Sequence, residues 1–212
     1  MTKLSNKNIL EKSAKDMAKS ICNLFTQKGY SFFSEGAYNL NIIGIRGQNT
    51  EPNKFDDMLI VLYKDEHDDW QFFKTAVTTD PGRYWLLNPM RVDGTAILAE
   101  GQHKGAWILG LHKGKYKALV QRTNEVTVYR DRNKDNKLDY DQCSMQRGYF
   151  GINIHRASQF NIVSEVDKWS AGCQVIQDSH KFDEFISLCE NQVKHTGCKT
   201  FSYTLIKEGD LL

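Results

Sequence analysis

Gly148-Tyr149-Phe150-Gly151-Ile152-Asn153-Ile154-His155-Arg156 stands upstream of Trp169-Ser170-Ala171-Gly172-Cys173-Gln174-Val175, with fourteen residues between His155 and Ser170. In the first stretch Phe150, Ile152 and Ile154 alternate with Gly151 and Asn153, the period of a strand whose end delivers His155. In the second, a cysteine follows a small residue and a glycine. That pattern suits a tight turn with the sulfur exposed and nearby N–H groups free to hold an oxyanion. A thiol ionises poorly at neutral pH, with an ordinary pKa of about 8.5. An imidazole that takes its proton makes it a nucleophile. The two stretches therefore nominate Cys173 as nucleophile and His155 as base. They predict a sulfur within about 4 Å of the ring and a thiol partly ionised near neutral pH.

Working outward, the chain is rich in short apolar runs. Candidate strands are Tyr38–Ile45, Met58–Tyr63, Trp70–Val77, Tyr84–Leu87, Thr95–Leu98, Trp107–Leu111, Ala118–Gln121, Glu125–Tyr129, Gly148–His155 and Thr200–Ile206. Turn formers such as Asp80-Pro81-Gly82 and Lys113-Gly114-Lys115 separate them. An amphipathic helix is predicted from about Asn6 to Lys28, with Ile9, Ser13, Met17, Ile21 and Leu24 or Phe25 recurring and Gly29 as its stop. A second runs from about Lys181 to His195, capped by Asp178 or Ser179 and ended by Gly197. The fold class is mainly β with flanking helices, a β-sandwich or barrel-like sheet. Residues 1–50 read as a helix and extension packed on a main domain of residues 51–212.

The order of a histidine at a strand end, a loop of this length, Ser-x-Gly-Cys, a helix and a closing strand resembles the peptidoglycan L,D-transpeptidase (YkuD-type) family. The resemblance covers about His155 to the C-terminus. It implies a thioester acyl-enzyme acting on peptidoglycan stem peptides, either cutting them as a hydrolase or lysin or cross-linking them as a transferase. It places Cys173, His155, Ser170 and Gly172 in the catalytic motif. Arg156, Trp169 and Gln174 flank that motif as candidate substrate-binding residues. Three positions depart from the family's usual pattern: Arg156 replaces glycine, Ala171 replaces histidine and Val175 replaces arginine. These departures motivate an alternative, a non-catalytic wall-binding or virion structural module on the same fold.

Composition sets the remaining bounds. Charged residues are 25% and the net charge is +2. Bases mostly alternate with acids, as in Arg130-Asp131-Arg132, so a nucleic-acid partner is not expected. No stretch approaches membrane-spanning length, and Met1 to Lys19 lacks an apolar export core. The expectation is synthesis in the cytoplasm, with access to the wall by another route or in a phage virion. Five cysteines, with no CxxC pair, suit a reducing compartment. Cys22, Cys189 and Cys198 are expected on apolar faces, leaving Cys143 as the thiol that competes with Cys173 for reagents. Asp131, Asn133, Asp135 and Asp139 follow the start of an EF-hand calcium loop, with Leu138 at its hydrophobic position. Asn136 and Gln142 stand where that loop has glycine and glutamate, and a polar β-turn is the plainer reading. No cofactor is expected apart from that calcium candidate. His103 and His112 match no zinc spacing and read as satisfied sheet histidines.

Overall fold

The computed structural model describes residues 12–49, 51–141 and 144–211. Strand β1 (Asn41–Arg46) has the sequence NIIGIR and is buried along its whole length. Its alternate residues serve two cores: Ile42 faces the larger cluster, while Ile43 and Ile45 face a second. Strands β2 (Asp57–Lys64) and β3 (Trp70–Thr78) repeat this division, Leu59, Val61 and Phe73 against Ile60, Leu62 and Phe72. A sheet apolar on both faces must be covered on both. The outer cover is helix α1 (Ala14–Lys28), which buries Met17, Ala18, Ile21 and Phe25.

Helix α1 begins at Ser13, whose hydroxyl accepts the Asp16 N–H, and ends at Gly29 in the left-handed region. Ser13 is thus a cap rather than part of the apolar stripe. The predicted turns from Asn6 to Glu11, including Ile9, lie outside the described residues.

Short helix α2 (Arg83–Leu87) follows β3, then come β4 (Thr95–Leu98), β5 (Gly101–His112), β6 (Tyr116–Gln121), β7 (Val126–Asp131), β8 (Gln146–Gly148), β9 (Ile154–Arg156) and β10 (Gln174–Ile176). Helix α3 (Ser179–Thr196), β11 (Thr200–Lys207) and a final 3-10 turn at Glu208–Leu211 complete the chain. Eight strands close a barrel in the order β1-β11-β5-β6-β9-β10-β3-β2, and β4-β7-β8 form a separate small sheet. Of the two predicted β architectures, the barrel-like sheet is therefore the one adopted. Helix α3, capped by Asp178 and ended by Gly197, packs Phe182, Phe185, Ile186 and Cys189 against the main core.

Three predicted features need correction. Tyr84–Leu87 is not a strand but the core of α2: Leu86 is buried while Leu87 is exposed, and the Trp85 indole donates to Lys168 O (3.2 Å). The boundary near Glu51 falls between two paired strands, since β1 is a stave of the barrel hydrogen-bonded to β2 and β11. Gly148–His155 is not one strand. Gln121, a buried side chain of β6, takes over the hydrogen bonds of its middle. Its Oε1 accepts from Phe150 N and Ile152 N (both 3.1 Å), and its Nε2 donates to Gly148 O (3.0 Å). The Trp107 indole N–H holds Ile152 O at 2.6 Å. The segment between β8 and β9 curls inward because buried backbone groups must find partners, and side chains supply them here.

Candidate active site

Strands β9 and β10 are parallel neighbours, with Val175 opposite His155, and the pairing extends upstream through Gln174 N–H to Asn153 O (2.9 Å). Paired residues in a parallel ladder point the same way and side chains alternate, so Cys173 and His155 occupy the same face. Strand spacings set their Cα atoms roughly 8 Å apart on the diagonal.

The turn before Cys173 is held by Ser170, which is fully buried. Its hydroxyl donates to Cys173 O (2.8 Å) and accepts the Gly172 N–H (3.1 Å). Ser170 therefore shapes the turn rather than touching the reacting atoms. Gly172 has φ +119°, and a Cβ there would meet Ala96 O at 2.3 Å, so only glycine lets β4 approach this closely. With the Gly172 N–H engaged, the Cys173 N–H is the amide near the sulfur that donates in none of the described hydrogen bonds. The expected oxyanion donors at Gly172–Cys173 thus narrow to Cys173.

The His155 ring is buried and oriented by the backbone: Nδ1 lies 2.7 Å from Arg156 O. A carbonyl can only accept, so Nδ1 carries the proton and Nε2 keeps a lone pair. The Tyr116 hydroxyl donates to the same carbonyl (3.3 Å). The ring stacks on His112, centroids 4.0 Å apart and planes 24° from parallel. Asn153 Nδ2 donates to His112 Nδ1 at 3.1 Å. Burial first, and then His112, pushes His155 down to about 3. Burial and Lys113 push His112 down to about 4. Both rings are neutral at physiological pH.

The thiol does not bond to the imidazole. Cys173 Sγ accepts from Asn153 N (3.4 Å) and contacts Gly151 O (3.6 Å). It is partly exposed, yet burial raises its pKa above the ordinary thiol value, against the opposing pull of the Asn153 N–H and Lys113. The resting site is accordingly a neutral thiol and a neutral imidazole with no described bond between them, not the partly ionised pair expected from sequence. This makes the labelling order different from the expected one. Cys189 is buried, Cys22 half-buried and Cys198 exposed, while Cys143 lies outside the described residues. At neutral pH iodoacetamide should reach Cys198 before Cys173. The Cys173 rate should climb about tenfold per pH unit towards pH 9, because only the thiolate reacts. Peptide mapping across pH checks this, and a rate independent of pH from about 6 to 9 would instead reveal a preformed ion pair.

A cleft of about 430 Å³ opens beside His155. The β5–β6 hairpin forms one wall. Lys113 and Gly114 both have positive φ (50° and 70°), as tight hairpin turns require, and they carry Lys113 and Lys115 to the rim. Lys168 and Arg156 join them, and no carboxylate lines this cleft among the described residues. The Arg156 guanidinium lies 4.4 Å from the Tyr116 ring centroid and within 3.9 Å of Asp183. Trp169 is exposed at the mouth. Gln174, expected at the substrate surface, is wholly buried in the barrel, where its Oε1 accepts from the Tyr203 hydroxyl (2.9 Å). A residue so enclosed cannot contact a ligand in the cleft. His112, Tyr116 and Lys113 complete the surroundings; the Lys113-Gly114 turn was the one local signal for them. His103 is elsewhere, its Nε2 donating to Ala99 O (3.0 Å).

Among the described residues, no three His, Cys, Asp or Glu side chains are gathered to hold a metal ion as they stand, and no helix is long and apolar enough to cross a membrane. No family model, curated protein or solved structure matches the chain.

Proposed function

We propose that this chain is a cysteine-dependent acyltransferase of the L,D-transpeptidase kind, acting on peptidoglycan stem peptides. Cys173 Sγ attacks a peptide carbonyl, the thiol proton passes to His155 Nε2, and the Cys173 N–H steadies the oxyanion. The proton then goes to the departing amine, leaving a thioester that water hydrolyses or a second amine captures. The observation that carries the reading is that Cys173, one residue before β10, and His155 on the adjacent parallel β9 fall on one face, with Nδ1 anchored on Arg156 O and Nε2 left with its lone pair. A ring at about 3 is a weak base and the thiol is a weak acid. Proton transfer therefore accompanies S–C bond formation rather than preceding it. Lys113, Lys115, Lys168 and Arg156 line the cleft and favour a substrate bearing carboxylates, as stem peptides do. Access to the wall by release from a lysing cell or from a virion belongs to the same proposal.

One observation favours the second reading, a non-catalytic wall-binding or virion module: the sulfur is bonded to Asn153 N and Gly151 O rather than to the ring. Incubation with purified peptidoglycan, followed by mass spectrometry of the released or joined stem peptides, separates the two. Turnover with a trapped thioester on Cys173 supports the enzyme. Binding without any covalent change supports the module.

A further inference from the structure

We propose that the loop between β7 and β8 binds a calcium ion through Asp131, Asn133, Asp135 and Asp139. Asp131 closes β7 and is 1% exposed. Its Oδ2 accepts the Asp139 N–H (3.3 Å), so the carboxylate is turned into the loop. Its Oδ1 is sealed from solvent and has no hydrogen-bond partner. A carboxylate oxygen buried without a donor or a cation is costly, and a bound cation removes that cost. The next two acids already converge: Asn133 Nδ2 donates to Asp135 Oδ2 (3.2 Å) and to Asp139 Oδ2 (2.7 Å).

Arg132, Lys134 and Lys137 alternate with the acids but are exposed, and no described ion pair reaches Asp131, Asp135 or Asp139. Oxygen donors at the first, third, fifth and ninth positions of a loop suit a hard cation that tolerates irregular coordination, as calcium does and magnesium does not. Leu138 is buried against Leu86, Ile97 and Tyr129, pinning the loop where an EF-hand-like loop is pinned. The backbone is not that of an EF-hand, since the left-handed residue is Lys134 rather than the sixth position, and Gln142 lies outside the described residues. Calcium binding therefore requires the Asn133 amide to turn, exchanging its NH₂ for its oxygen, so that the carboxylates close on the ion. The ion would brace the loop that leads through β8 to His155, independently of whether Cys173 is catalytic.

The test is thermal unfolding of the full chain in EDTA and in about 1 mM CaCl₂, a concentration well above the dissociation constant of most loops of this type, with native mass spectrometry for stoichiometry. One ion per chain and a rise of about 5 °C or more are expected. MgCl₂ and NaCl at equal ionic strength should give little of it. Asp135→Asn, on a half-exposed side chain, should unfold in EDTA like the parent and lose the calcium shift; Asp139→Asn serves as a second variant. An unchanged melting temperature without bound ion, a shift reproduced by magnesium or NaCl, or a full shift in both variants would overturn the proposal.

Discussion

Cys173→Ser and His155→Gln should each lower turnover of stem peptides by at least about 10³-fold while leaving a folded protein. Serine nearly preserves the volume and keeps a donor for Gly151 O, but its hydroxyl is far less acidic than a thiol. Glutamine retains an N–H for Arg156 O and loses the atom that accepts the proton. His155 is buried and stacked on His112, so its replacement should cost about 1–2 kcal/mol of stability, small beside the kinetic loss. Activity on purified peptidoglycan and melting temperature, measured on the same preparations, check both halves. Full activity in either variant would remove these residues from the chemistry. The double variant should be no worse than the single ones, because residues acting as a unit are not additive.

Arg46→Met should cost about 3–5 kcal/mol of stability at neutral pH, read from urea denaturation. Arg46 lies at the end of β1 with its side chain almost wholly enclosed. Its guanidinium meets Asp80 Oδ1 (3.1 Å) and Glu100 Oε1 (2.8 Å), and it donates to Thr79 O (3.0 Å) and Leu98 O (2.9 Å). Methionine fills much of the space but strands two carboxylates and two carbonyls. The deficit should depend on pH. Burial raises Asp80 to about 7, with Arg46 opposing. Between about pH 4 and 7 the folded chain thus holds a proton that the unfolded chain has released, and Asp80's contribution to stability falls as pH rises. Within that window the folded Asp80 is neutral and needs the cation less, so the deficit should be smaller near pH 5 than near pH 8, where Asp80 is charged. An equal deficit at both would assign the loss to packing rather than charge.

Features with local causes could be read directly from the chain. Gly29 ends α1, and Asp178 and Gly197 bound α3, because caps act within one turn of chain, whereas the Ser13 cap was hidden within an apparent apolar stripe. The Lys113-Gly114 turn and most strands of the sheet were legible in the same way, from positive-φ tolerance and from alternation. The Ser-Ala-Gly-Cys turn was legible too, although only the structure shows that Ser170 braces it and that Gly172 is demanded by Ala96 O. Tertiary structure alone decided the rest. Tyr84–Leu87 is helical because its neighbours, not its pattern, fix it. Gln121 breaks the strand before His155 by answering backbone groups 27 to 31 positions away, a partnership that no local window can contain. Gln174 is buried because β10 pairs with β9 and β3 on a closed barrel. His112 reaches His155 through a hairpin and silences it as a charge by burial and stacking. Whether the thiol and imidazole rest as an ion pair or as neutral neighbours depends on desolvation, which the fold creates and residue identity does not record.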